Sequence, residues 1–124
     1  MHRVIDAMNV IGAQPDGWWR DRRAAIERLV GQLDRWATEA DEQVTVVLEQ
    51  PPSPRIHAER IGIAWAARAG PNSADAEILR RLGGWLAEGE VTLVTSDRDL
   101  AERARSHGAA VEPAAAFRAR LEAL

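Results

Sequence analysis

Cysteine and lysine are missing from all 124 residues, tyrosine is missing as well, and phenylalanine occurs once. Without cysteine there are no disulfide staples, thiolate zinc sites or thiol nucleophiles. Without lysine, the ammonium that phosphoryl-accepting regulatory domains commonly use is absent, which counts against Asp6 or Asp97 as a phosphoryl acceptor. No apolar run approaches the roughly 18 residues that cross a bilayer. No basic segment followed by a long apolar one opens the sequence, so a soluble, cytoplasmic protein with no membrane partner is expected. The patterns of the nucleophile elbow, the P-loop and the dinucleotide fingerprint are lacking too. His2, His57 and His107 are too scattered to suggest a metal site. The net charge of −3 does not advertise a polyanionic partner, so any nucleic-acid contact must rest on local basic patches.

What is there is a regular alternation of two hydrophobic periods. With 46% apolar residues over this length, residues 1–124 read as one domain with a proper core. Val4-Ile5 open a strand that ends at Asp6, and a turn-rich loop runs from Gly12 to Arg20. Ile26, Leu29, Val30, Leu33 and Trp36 form one stripe of a helix expected from Asp21 to Ala40, with Asp21 as its N-cap. Val44 to Leu48 is a strand closed by Glu49, and Arg60 to Ala66 is a further strand candidate. Ile78, Leu79, Leu82, Trp85 and Leu86 mark a helix after Gly70-Pro71-Asn72-Ser73. A strand from Val91 to Thr95 then leads into a helix from Ser96 to His107, stopped by Gly108. Ala109 to Val111 is a last short strand, and Pro113 opens a closing helix carrying Phe117, Leu121 and Leu124. Trp36, Trp65 and Trp85 fall on apolar stripes and are expected in the core. Apolar strands separated by helices specify an α/β fold, a three-layer sandwich around a mostly parallel sheet. Only the joint from Glu49 to Arg60 is awkward, since about ten residues with three prolines lie near the lower limit for a parallel crossover.

The acidic residues fall where such a sheet places its chemistry. Ligands of open α/β sheets bind beyond the carboxyl ends of the strands. Asp6 and Glu49 end strands, Asp97 lies just past one, and Asp75 sits in the first turn of a helix able to reach the same edge. Neighbouring strands are about 4.8 Å apart, and carboxylates roughly 5 Å apart repel by about 3 kcal/mol at an effective dielectric of 20. Such crowding needs a shared proton or a bound divalent cation. With oxygen ligands only, Mg²⁺ or Mn²⁺ fits better than zinc or copper, and the matching chemistry is phosphodiester hydrolysis. Blander readings stand beside each residue. Asp75 can serve only the helix dipole, Ser96 and Asp99 spell a Ser-x-x-Asp capping box, and Asn9 is either a turn residue or a hydrogen-bonding orienter of a carboxylate.

The stretches VIDAMNVIG (Val4–Gly12), PDGWWRDR (Pro15–Arg22), VTVVLEQP (Val44–Pro51), NSADAEI (Asn72–Ile78) and VTLVTSDRDLAERARSHGA (Val91–Ala109) together resemble NYN domains. These are a branch of the PIN-like ribonucleases, and the order and spacing are similar to the bacterial YacP-like subgroup over almost the whole chain. The resemblance implies strand order 3-2-1-4-5 and RNA cleavage dependent on Mg²⁺ or Mn²⁺. It also implies catalytic roles for Asp6, Asn9, Asp75, Asp97 and Asp99, with Asp6, Asp75 and Asp97 holding metal. Three positions depart from the family pattern: Ala7 replaces a glycine, Ala76 a second consecutive aspartate, and Glu49-Gln50 an Asp-Gly.

For RNA itself, the candidate contacts are Arg20, Arg22 and Arg23 toward phosphates, Trp18 toward bases, and Ser96 toward a phosphate at a helix N-terminus. One of the adjacent tryptophans Trp18 and Trp19 is expected to pack inward. Arg55, His57 and Arg60 form a second basic group that is either a backbone contact or solvated surface. The expected function is a metal-dependent ribonuclease, with a homodimer or larger RNA-processing assembly possible. The alternative is a PIN-like module that binds RNA with a weakened or inactive site.

Overall fold

The β-branched and apolar runs become five strands in the computed structural model, which describes residues 1–124. They are β1 (His2–Asp6), β2 (Gln43–Leu48), β3 (Gly62–Trp65), β4 (Val91–Val94) and β5 (Ala110–Glu112). All pairings are parallel, in the order β3-β2-β1-β4-β5, the α/β arrangement of PIN-like domains. The strand order reverses beside β1, so the carboxyl ends of β1 and β4 flank the crevice where such sheets bind ligands.

Five helices cover the two faces: α1 (Ala7–Ile11), α2 (Arg22–Ala40), α3 (Ser73–Glu88), α4 (Arg98–Ser106) and α5 (Ala114–Glu122). Side chains alternate across a strand, and β1 shows the consequence. Ile5 packs with Leu33 of α2, Val10 of α1 and Phe117 of α5, while Val4 packs with Ile78 and Leu82 of α3 and Leu100 of α4. Both sides of the sheet are therefore apolar, and its only wet boundary near β1 is the rim. Asp21 caps α2 as expected, its carboxylate accepting from the Ala24 amide at 3.0 Å. None of the helices is long and apolar enough to cross a membrane.

Several elements differ from the sequence reading. The short helix α1 follows β1 without a loop, and it buries Ala7, Val10 and Ile11. The proline-rich crossover from β2 to β3, by contrast, is as expected: it contains no helix and joins parallel strands. Asp34 of α2 makes this work, because its two oxygens accept from the amides of Glu59 (3.1 Å), Arg60 (3.0 Å) and Ile61 (3.0 Å). With no helix in the crossover to cover its face of β3, Trp65 is 43% exposed rather than in the core. Trp36 and Trp85 are half-buried, edge-on to Phe117 and His2 respectively. Leu124 lies past the end of α5 and is exposed.

The expected capping box does not form. Asp97 caps α4 by accepting from the Leu100 amide at 3.0 Å. Ser96 instead accepts from the Ala114 amide at 3.0 Å, fixing the start of α5.

Candidate active site at the carboxyl rim

Asp6 is the last residue of β1 and the N-cap of α1, so the backbone turns away just where its side chain emerges. Only 2% of Asp6 is exposed. Its Oδ2 accepts from Asn9 Nδ2 at 2.7 Å and from the Thr95 hydroxyl at 2.8 Å. Its Oδ1 has no protein donor, and since no buried side-chain oxygen lacks a partner, that atom keeps contact with solvent. Asn9 also accepts from the Ser96 amide at 3.2 Å, and Thr95 Oγ1 accepts from the Asp97 amide at 3.2 Å. The tips of β1 and β4 are thus joined by neutral groups that orient one acid and the backbone of another.

Asp75 reaches the same rim because the start of α3 is tied to the end of β2. Ser73 Oγ donates to the Glu49 carbonyl at 3.0 Å, and Asn72 before it adopts the left-handed conformation that asparagine tolerates. Between the amino ends of α3 and α4 lies a groove of about 320 Å³ lined by Asp75, Asp97, Asp99 and Arg103.

The charges respond to one another. Burial pushes the Asp6 carboxyl up to about 6; the Thr95 hydrogen bond opposes this, the charges of Asp75 and Asp97 add to it, and Asn9 opposes it. Burial likewise pushes Asp75 up to about 6, reinforced by the charge of Asp97, a hydrogen-bonding contact with it, and the charges of Asp99 and Glu49. Asp6, Asp75 and Asp97 are therefore one electrostatic unit. They line a rim rather than enclose a point, since no three acidic or histidine side chains converge around one ion position.

The remaining candidates divide. Asp99 is exposed and pairs with Arg103 at 3.2 Å. Arg22 approaches Glu49 at 3.5 Å and lies over the Trp18 ring at 5.7 Å. Arg23 bonds Glu27 at 2.8 Å and the Pro54 carbonyl. Both arginines line a groove of about 330 Å³ beside Glu49 and Pro51. Arg20 is exposed at the end of a single 3₁₀ turn, Trp18–Arg20, outside that groove. Trp18 packs on the core beneath α2, and Trp19 is the exposed member of the pair. The Ser96 hydroxyl is engaged with α5. Sequence reasoning missed Thr95; its one signal was a hydroxyl at the strand end two residues before Asp97.

The sequence profile of the YacP-like NYN domain matches residues 3–124. The chain belongs to the YacP-like NYN family. The crystal structure of Rae1 (YacP) from Bacillus subtilis matches with a TM-score of 0.76 at 20% identity, covering 99% of this chain and 74% of that one. Its tryptophan-to-leucine mutant matches with a TM-score of 0.81 at 18% identity, covering 99% and 75%. No curated protein matches this sequence. The YacP-like NYN assignment makes this a PIN-like, nuclease-type domain. Its departures from the family pattern have visible places. Ala7 is fully buried as the first residue of α1, and Ala76 is exposed on the groove wall, where it supplies no ligand.

Proposed function

We propose that this chain is a ribonuclease that hydrolyses RNA phosphodiester bonds at the carboxylate rim with Mg²⁺ or Mn²⁺. The observation that carries the reading is the raised pKa of Asp6 and Asp75, to both of which the charge of Asp97 contributes, combined with the lack of an arginine paired to any of the three. A buried carboxyl beside two half-buried ones without a counter-charge is a functional signature more than a structural one. The donor set fits a hard cation, because every candidate ligand is oxygen. The open rim fits Mg²⁺ in particular, which keeps several waters and takes one or two carboxylates rather than a closed protein cage.

One or two of Asp6, Asp75 and Asp97 would hold the ion directly and the rest through its waters, and a bound ion would supply an acidified water and charge neutralisation at the phosphate. The chain's own groups do the rest. Asn9 and Thr95 fix Asp6 so that its second oxygen stays open. Asp75, titrating near neutrality, can hold or release a proton at its carboxyl. Arg22 and Arg23 place positive charge along the approach, where phosphates bind without regard to sequence.

The test is cleavage of an oligoribonucleotide with Mn²⁺ by the wild type, Asp6→Asn and Asp97→Asn; asparagine retains helix capping at position 97. Product formation lost in both variants and in EDTA supports the reading, and unchanged rates reject it. The exposed Ala76 favours a second reading, a module that binds RNA without turnover. That reading requires RNA binding in EDTA and no Mn²⁺-dependent product from the wild type.

A further inference from the structure

The groove holding Arg22 and Arg23 continues past the proline-rich crossover. Pro51, Pro52 and Ile56 also line a second groove of about 550 Å³, whose outer wall carries Arg55, His57 and Trp65. We propose that this second groove is a base-stacking subsite for single-stranded RNA, with Trp65 as its platform. The proposal rests on the ribonuclease reading and names the form of RNA that the site takes.

Four observations converge on it. Trp65 is the one tryptophan whose ring has no partner. Trp18 and Trp19 pack edge to face, Trp36 meets Phe117 and Trp85 meets His2, while no aromatic or guanidinium group lies over Trp65. It is also 43% exposed, so a substantial part of the residue is open to solvent.

Trp65 shares the sheet face of Leu48 and Asp6 that of Val47, so an RNA strand touching both would pass over the carboxyl rim between them. Trp65 pairs with Leu48, and Asp6 pairs with Val47, so both residues stand at the carboxyl ends of strands two places apart. At about 4.8 Å per strand, their backbones are roughly 10 Å apart.

The charge suits a polyanion. Arg22, Arg23, Arg55 and His57 line the two grooves against a single acid, Glu49. Neither Arg55 nor His57 is in an ion pair.

The site is also preorganised. Its floor is β3, and its roof is the crossover that the Asp34 carboxylate pins through three amides. Little ordering remains to be done on binding.

Stacking on an indole tolerates any base, since every base has a π-face. A duplex, however, keeps its bases stacked on one another and out of reach. Unpaired RNA is therefore the expected occupant. A protein strand added to the edge strand β3 is disfavoured, because β3 is only four residues long.

The experiment compares wild type, Trp65→Ala and Trp65→Phe for binding a fluorescent single-stranded oligoribonucleotide and a blunt duplex of the same sequence in EDTA. Trp65→Ala is expected to weaken the single strand by roughly five- to hundredfold, the range of one lost stack. Trp65→Phe should stay near wild type, and duplex affinity should not change. With Mn²⁺, Trp65→Ala should raise KM for unpaired substrate and leave kcat alone. Equal single-strand affinity in Trp65→Ala, or equal losses on both RNAs, overturns the proposal. So does a concentration-dependent dimer that Trp65→Ala dissolves without changing RNA affinity, which would assign the surface to a second copy of the chain. If Trp65→Ala melts below the assay temperature, the Arg55→Ala/His57→Ala double variant decides. It should bind the single strand more weakly with a shallower salt dependence, and unchanged affinity and slope reject the subsite. Trp65-dependent binding without any cleavage would remove the nuclease reading and leave the subsite, whereas cleavage indifferent to position 65 would do the reverse.

Discussion

Arg3 and Asp6 lie three residues apart on β1, exposed by only 5% and 2%, and their surroundings are opposite. Arg3 is held by Glu42 at 2.9 Å and by Glu112, with Phe117 and Trp36 rings against its guanidinium at 5.3 and 5.6 Å. Burial alone would lower its pKa, but Glu42 and Glu112 outweigh that and raise it. Asp6 receives only two neutral donors, and the charges near it are of its own sign. One buried charge is fully compensated and ties α2, β5 and the sheet together. The other is left uncompensated at the edge where ligands bind. Compensation marks the charge that serves the fold, and its lack is what makes Asp6 the candidate for the proposed chemistry.

The contrast can be broken from either side. Arg3→Ala should have the largest effect, a loss of about 3 kcal/mol in urea denaturation, because half-buried Glu42 would keep only the Trp36 indole and Glu112 only Arg120. Asp6→Asn should do the opposite in EDTA at pH 7. The folded pKa of Asp6 is about 6 against 3.8 unfolded, so between these values the folded state binds more protons than the unfolded one. Stability from this group therefore falls as pH rises from about 4 to 6, and the full penalty remains above that. Removing it should add about 2–3 kcal/mol, and the fall between pH 4 and 6.5 seen in the wild type should flatten in the variant. A wild-type profile without that fall would contradict the electrostatics of the rim.

Smaller changes sharpen the comparison. Thr95→Val removes one of the two donors to Asp6 and the acceptor for the Asp97 amide. It should lower Mn²⁺-dependent cleavage about tenfold, in line with outer-shell partners of metal ligands, while Thr95→Ser should retain most activity. Asp34→Asn should cost only about 1 kcal/mol. Its signature is faster hydrogen exchange at the Glu59, Arg60 and Ile61 amides.

Much of this was legible before the structure. The strands ending at Asp6, Glu49 and Thr95 had β-forming runs and clear breakers, and the helix stripes were long enough to show their period. Strand order came from the resemblance and not from periodicity. The short helix α1 was invisible because five residues do not complete two turns. Trp65 was misplaced because its apolar alternation is real, while burial depends on a covering helix that the proline-rich crossover does not supply. The capping alternative for Ser96 fails because its hydroxyl accepts from the distant amide of Ala114, a contact that no local pattern shows. Strand-end logic singled out Asp6 and Asp97. Asp75 reaches them through the Ser73 anchor, a contact across 24 positions that no local pattern encodes.

Thermal unfolding at pH 7 with and without saturating Mn²⁺, on wild type and Asp6→Asn side by side, tests the central claim most directly. An ion that relieves the crowded rim should stabilise the wild type by about 2.7 kcal/mol at a hundred times its Kd, and raise Tm by several degrees. The variant, already relieved, should gain far less. Equal gains in both proteins, or no gain in either, would contradict the account.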